Sequence, residues 1–222
     1  MLVAGEKKVS FNFDARYFTA GELNTSTRQV WFVLHGYGQL AQFFLRKFEP
    51  LTEKGIFIIA TEGLSRFYLS ELTSTGRPDN KVGATWMTRE NRLMDIENYL
   101  SFLDKVYAEE VAGHNHIPVT IFGFSQGCAT ASRWAIDGKA NFNRLILWAG
   151  LFPPDMDFQK GHNILADKPT FMVIGDKDQF LTEERMAEFD GLAAKLDIKP
   201  KKIVFDGKHE LNLELLMKFA EE

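Results

Sequence analysis

The stretch Ile117-Pro118-Val119-Thr120-Ile121-Phe122-Gly123-Phe124-Ser125-Gln126-Gly127 decides the reading of this chain. Its first half is a short apolar run rich in β-branched residues, the composition of a strand buried on both faces. From Cys128 to Asp137 the pattern turns helical, and Gly138 closes it. Between them lies a Gly-x-Ser-x-Gly turn. A serine presented on a tight strand-to-helix turn needs neighbours without side chains, so that strand and helix can pack closely while the hydroxyl points outward. The pattern alone is weak, and its flanks give it weight.

Working outward, further apolar runs occur at Val30 to Leu34, Ile56 to Ala60, Leu145 to Trp148, Phe171 to Ile174 and Ile203 to Phe205. Helical patterns separate them at Ala41 to Leu51, Met94 to Val111, Glu183 to Leu196 and Leu211 to Ala220. Strands buried on both faces and alternating with helices predict a mostly parallel central sheet with helices on both faces. Val9, Phe11 and Phe13 alternate with polar residues and predict an additional edge strand. Thr61 to Arg89 shows little periodicity and reads as a long functional loop.

The composition bounds the function. The 222 residues, 45% of them apolar, suffice for one core and are read as a single domain spanning 1–222. A formal charge of −4 gives no basic footprint for nucleic acid. No apolar run approaches the ~18 residues of a membrane span. With one cysteine, Cys128, and no apolar leader, the expected location is the cytoplasm. Cys128 itself reads as a small buried helix residue. His114 and His116, one residue apart with no acidic or Cys partner nearby, make a poor metal site, and no metal or cofactor is expected.

In open parallel sheets ligands bind beyond the carboxyl ends of the strands. Four strand ends here carry reactive side chains. Ser125 follows one, the His35-Gly36-Tyr37-Gly38 loop another, Asp176 and Asp178 a third, and His209 the last. A serine hydroxyl needs a base to take its proton, an imidazole suits that task, and a carboxylate orients the imidazole. In an α/β-hydrolase the chain order is Ser, then acid, then His. His162 sits in a polar segment and reads as solvated, which leaves His209 as the base. Asp178, further round its loop than Asp176, is the preferred acid, with Asp176 as the alternative. An oxyanion would take N–H donors from Gln126, directly after the serine, and from Tyr37 in the early glycine-rich loop.

Taken together, His35-Gly36-x-Gly38, Gly123-Phe124-Ser125-Gln126-Gly127, Gly175-x-x-Asp178 and Gly207-x-His209 resemble the phospholipase/carboxylesterase family, which includes the acyl-protein thioesterases. The resemblance extends over essentially the whole chain. It implies an α/β-hydrolase fold with minimal or no lid, a Ser125–Asp178–His209 triad, an oxyanion hole at Tyr37 and Gln126, and cofactor-free hydrolysis of carboxylic esters. Small-molecule esters of short to medium acyl length are the expected substrates, acted on by a monomer or homodimer. The alternatives are an acyl-protein or other thioesterase or lysophospholipase, and a hydrolase-fold protein that binds a ligand without turnover. Phe67, Tyr68, Leu69, Trp86, Met87 and Phe180 are expected to form the substrate pocket, with loop packing as the competing role. Phe43, Phe44 and Phe48 have core spacing.

Overall fold

The computed structural model describes residues 5–69 and 81–222. Six strands run parallel: β2 (Gln29–Leu34), β3 (Ile56–Thr61), β6 (Val119–Phe124), β7 (Arg144–Trp148), β8 (Thr170–Gly175) and β9 (Lys201–Phe205). A seventh, β1 (Tyr17–Ala20), pairs antiparallel with β3 at one edge, giving the order β1-β3-β2-β6-β7-β8-β9. The expected mostly parallel sheet is therefore the observed one.

Alternation along the strands builds two cores. Val30, Phe32 and Leu34 face one side of the sheet, Trp31 and Val33 the other, and all five are fully buried. On the first side lie α2 (Arg92–Val111), α3 (Gln126–Asp137), α4 (Phe158–Leu165) and α5 (Glu183–Lys195). On the second lie α1 (Ala41–Leu45) and α6 (Leu213–Glu221), whose Phe44, Leu216 and Phe219 cover Ile146, Trp148 and Val173. The central strands are thus apolar on both faces because each face meets helices, whereas the edge strands β1 and β9 are partly exposed.

Four expectations are corrected. Val9, Phe11 and Phe13 form no strand and lie exposed (Val9 84%), since no neighbouring strand accepts their backbone; the edge is β1 instead. The helix expected from Ala41 to Leu51 ends at Leu45, and a 3-10 turn over Glu49–Lys54 follows, with Pro50 at its start. Phe44 and Phe48 are buried there as their spacing implies, but Phe43 is exposed. Within 61–89 the structure contains a hairpin of β4 (Ser65–Tyr68) and β5 (Val82–Thr85). Finally, His162 belongs to α4, which Asp157 caps by accepting from the Lys160 N–H; its Nδ1 bonds the Leu196 carbonyl at 3.0 Å.

Candidate active site

Ser125 follows the last residue of β6 and precedes α3, with φ 54 and ψ −117. That positive φ is rare for a residue with a side chain and places the serine on a strained corner. Two close approaches explain the flanking glycines. A Cβ on Gly123 would stand 2.4 Å from the Gly127 carbonyl oxygen, and one on Gly127 would stand 2.3 Å from that of Leu34. The Ser125 N–H donates to Trp148 O of the neighbouring strand at 2.9 Å, so the corner is fastened to the sheet.

The same register brings the ends of β8 and β9 together, with Gly175 opposite Phe205. The Asp178 side chain is fully buried, and its Oδ2 accepts from His209 Nδ1 at 2.7 Å. A carboxylate only accepts, so Nδ1 carries the proton and Nε2 is left as the basic nitrogen. Asp176, the alternative acid, is spent elsewhere: its Oδ1 accepts from the Gly207 N–H at 3.0 Å. The His209 ring lies 5.0 Å from the Phe124 ring and 4.8 Å from that of Phe180, centroid to centroid.

Ser125 and His209 open into one cavity of about 390 Å³, which Met87, Gln126, Leu151, Phe152 and Phe180 also line. Of the residues expected to form the pocket, Met87 and Phe180 are there. Trp86 is not: it is buried beneath the site, donating from Nε1 to the His35 carbonyl at 2.9 Å. Phe67 packs on the Tyr37 ring, with centroids 5.1 Å apart, and Tyr68 is exposed on the hairpin. Leu69 lines a separate groove between the hairpin and α1, together with Phe43 and Lys47.

The loop after β2 is held from several sides. Gly36 N–H donates to Gln39 Oε1 at 2.8 Å, and Gly38 N–H to Ala84 O of the hairpin at 2.9 Å. His35 braces it, as a residue too early in the chain order for a base would. Its Nδ1 lies 2.7 Å from Gly36 O, and its Nε2 accepts from the Gly63 N–H at 3.0 Å. Burial lowers the pKa of this imidazole and keeps it neutral. A Cβ on Gly36 would stand 3.1 Å from Ser125 Cβ and 3.1 Å from the Phe124 ring, so the loop passes close to the elbow, with Tyr37 between its two anchored glycine amides.

Three features escape sequence reasoning. The Gln126 carboxamide, of which only the backbone N–H draws attention in the sequence, pins the chain after β5: Nε2 donates to Met87 O at 3.1 Å, and Oε1 accepts from Trp86 N–H at 3.3 Å. The turn after β7 supplies Leu151, Phe152 and Pro153 as cavity wall, and its position at a strand's carboxyl end was the available signal. Arg133, a charge inside the otherwise small and apolar Gly127–Ile136 stretch, also lines the cavity while only 5% exposed. Cys128 is fully buried, its Sγ donating to Gly123 O at 3.1 Å, and burial pushes its thiol pKa well up. Among the described residues, no cluster of three or more His, Cys, Asp or Glu could hold a metal, and no helix is long and apolar enough to cross a membrane.

The sheet order and the placement of Ser125 beyond a central strand define an α/β-hydrolase. Residues 25–211 match the model of the serine hydrolase (FSH1) family, and the chain belongs to that family. No curated protein matches it by sequence. Among solved structures it is similar to acyl-protein thioesterase 2 of Zea mays, with TM-score 0.70 and 16% identity over 94% of this chain and 97% of that one. It is also similar to a Mesorhizobium loti carboxylesterase (TM-score 0.65, 14% identity, 88% of each chain). A Bacillus cereus carboxylesterase superposes with TM-score 0.62 at 16% identity, over 93% of this chain and 92% of that one. At such identities the likeness is one of fold.

Proposed function

We propose that this serine hydrolase is a carboxylesterase that cleaves short- to medium-chain esters through an acyl-enzyme. The observation that carries the reading is the 2.7 Å Asp178–His209 bond at the rim of the cavity into which strained Ser125 opens. In this reading Ser125 Oγ attacks the ester carbonyl while His209 Nε2 takes its proton. Asp178 holds the tautomer and stabilises the imidazolium. The tetrahedral oxyanion accepts from the Gln126 N–H, at the positive end of α3, and from the Tyr37 N–H. Nε2 then protonates the departing alcohol, and water, activated by the same nitrogen, releases the acid.

The test is hydrolysis of p-nitrophenyl esters of graded acyl length by wild type and Ser125→Ala, with fluorophosphonate labelling of both. Loss of turnover and of labelling in the variant supports the reading. Equal rates would remove Ser125 as nucleophile, and no rate in either protein would favour ligand binding without turnover.

A further inference from the structure

Arg133 is the least expected residue in the cavity. Its side chain is 6% exposed, and its Nη2 donates to Asp155 Oδ1 at 2.7 Å. The other oxygen of Asp155 is already taken by Arg92 Nη2. Two guanidinium charges therefore share one carboxylate, and the more buried of the two faces the cavity. Nη1 has only weak company, Met87 Sδ at 3.8 Å and Tyr99 OH at 3.5 Å. Arg185 and Glu188 line the cavity from α5 with opposite signs, both exposed, and the Asp178 carboxylate is engaged by His209.

Position along α3 gives the surplus charge a role. Ser125, Ala129 and Arg133 are four residues apart and share one helix face. Eight residues rise about 12 Å, but long side chains on a helix lean back toward its N-terminus, so the guanidinium is brought toward the serine, and Ser125, Ala129 and Arg133 all line the one cavity. Met87 corroborates this, touching Arg133 with its sulfur while its carbonyl accepts from the Gln126 side chain beside Ser125. Ala129 is too small to screen one from the other, and Ala149, Leu151 and Phe152 wall the space apolar.

We propose that the cavity selects acyl groups ending in a second carboxylate, with Arg133 as the counter-ion. The substrates are then monoesters of short dicarboxylic acids. The proposal rests on the esterase reading and names its substrate class. With the acyl carbonyl at Ser125, a short aliphatic spacer reaches the guanidinium, and the bound carboxylate makes the cluster two against two. An anion there gains a charge-assisted bond to a desolvated, pre-positioned donor. Hydrolysis is otherwise ordinary: water adds across the acyl–oxygen bond, the alcohol leaves with a proton, and the product is the dicarboxylate.

The experiment compares the p-nitrophenyl monoester of adipic acid with its terminal carboxamide analogue of equal length, on wild type, Arg133→Lys and Arg133→Gln. Wild type should favour the carboxylate by about tenfold or more in kcat/KM, carried in KM, with the preference reduced in Arg133→Lys and lost in Arg133→Gln. Equal handling of the two esters by wild type overturns the proposal without recourse to any variant. A parallel arm needs no turnover: adipate should bind Ser125→Ala by calorimetry more tightly than adipamide does. Binding that discriminates in this way, with no ester hydrolysed by wild type, would reject the esterase reading and keep the anion site. Failure to discriminate there, beside normal esterase turnover, would reject the anion site alone.

Discussion

The Phe180 ring meets the imidazole of His209 edge-on, with centroids 4.8 Å apart and planes at 68°, while the Phe180 N–H donates to Asp178 Oδ1 at 2.9 Å. One carboxylate thus fixes both the imidazole and the aromatic ring that packs on it. His209 is clamped through two routes that begin at the same residue.

Asp178→Asn should cut kcat by about 10³–10⁴-fold with little change in fold. The amide can turn its oxygen to the Phe180 N–H, but its NH₂ then faces His209 Nδ1 and drives the proton to Nε2, where it blocks the base. Steady-state kinetics beside thermal melts separates this from unfolding. Retention of more than about a tenth of wild-type kcat would remove Asp178 from the mechanism.

Phe180→Ala frees one face of the imidazole and one wall of the cavity. Turnover should fall by about tenfold, against a far smaller loss in melting temperature than a core phenylalanine would cause, because Phe180 is 57% exposed.

Ser125 offers a stability prediction independent of chemistry. Both Ser125→Ala and Ser125→Gly lose the hydroxyl, but only glycine relaxes at φ 54. Relief of strain less the entropy cost of glycine leaves Ser125→Gly about 1 kcal/mol more stable than Ser125→Ala. Denaturant midpoints of the two variants decide it.

His35 supplies a pH dependence. Its folded pKa lies below the ordinary 6.5, so below that value the unfolded chain binds the proton more readily than the folded one. The stability that His35 contributes is complete above pH 6.5 and is lost as pH falls toward the folded pKa. The unfolding midpoint of wild type should therefore drop more between pH 7.5 and 5.5 than that of His35→Gln. Parallel curves would contradict the assignment.

Much of the layout was legible in the residues themselves. Val30 to Leu34 or Phe171 to Ile174 announce strands because continuous apolar runs of that length have few other uses in a sheet flanked by helices. The convergence of Ser125, Asp178 and His209 follows from strand ends meeting at one rim. What was not legible depends on long-range pairing or on a side chain's direction. Tyr17–Ala20 becomes an edge strand because β3 has an open side, whereas Val9, Phe11 and Phe13 alternate correctly and find no partner. Asp157 as a helix cap was a readable sign of α4, outweighed by the polarity of Gln159 to Asn163. Trp86 looked like a pocket residue because composition marks an aromatic as available without saying which way it faces, and it faces His35.

The hairpin of β4 and β5 has a place in how such an enzyme can diversify. Gly38 N–H reaches Ala84 O, Ala84 N–H returns to Gln39 O, and Gly63 N–H ends on His35. The hairpin base and the loop presenting the Tyr37 amide are one mechanical part. Residues near Ala84 cannot drift without moving the Gly36–Gln39 loop to which they are bonded. A transplanted hairpin should therefore work only if its base is carried over with the loop it holds.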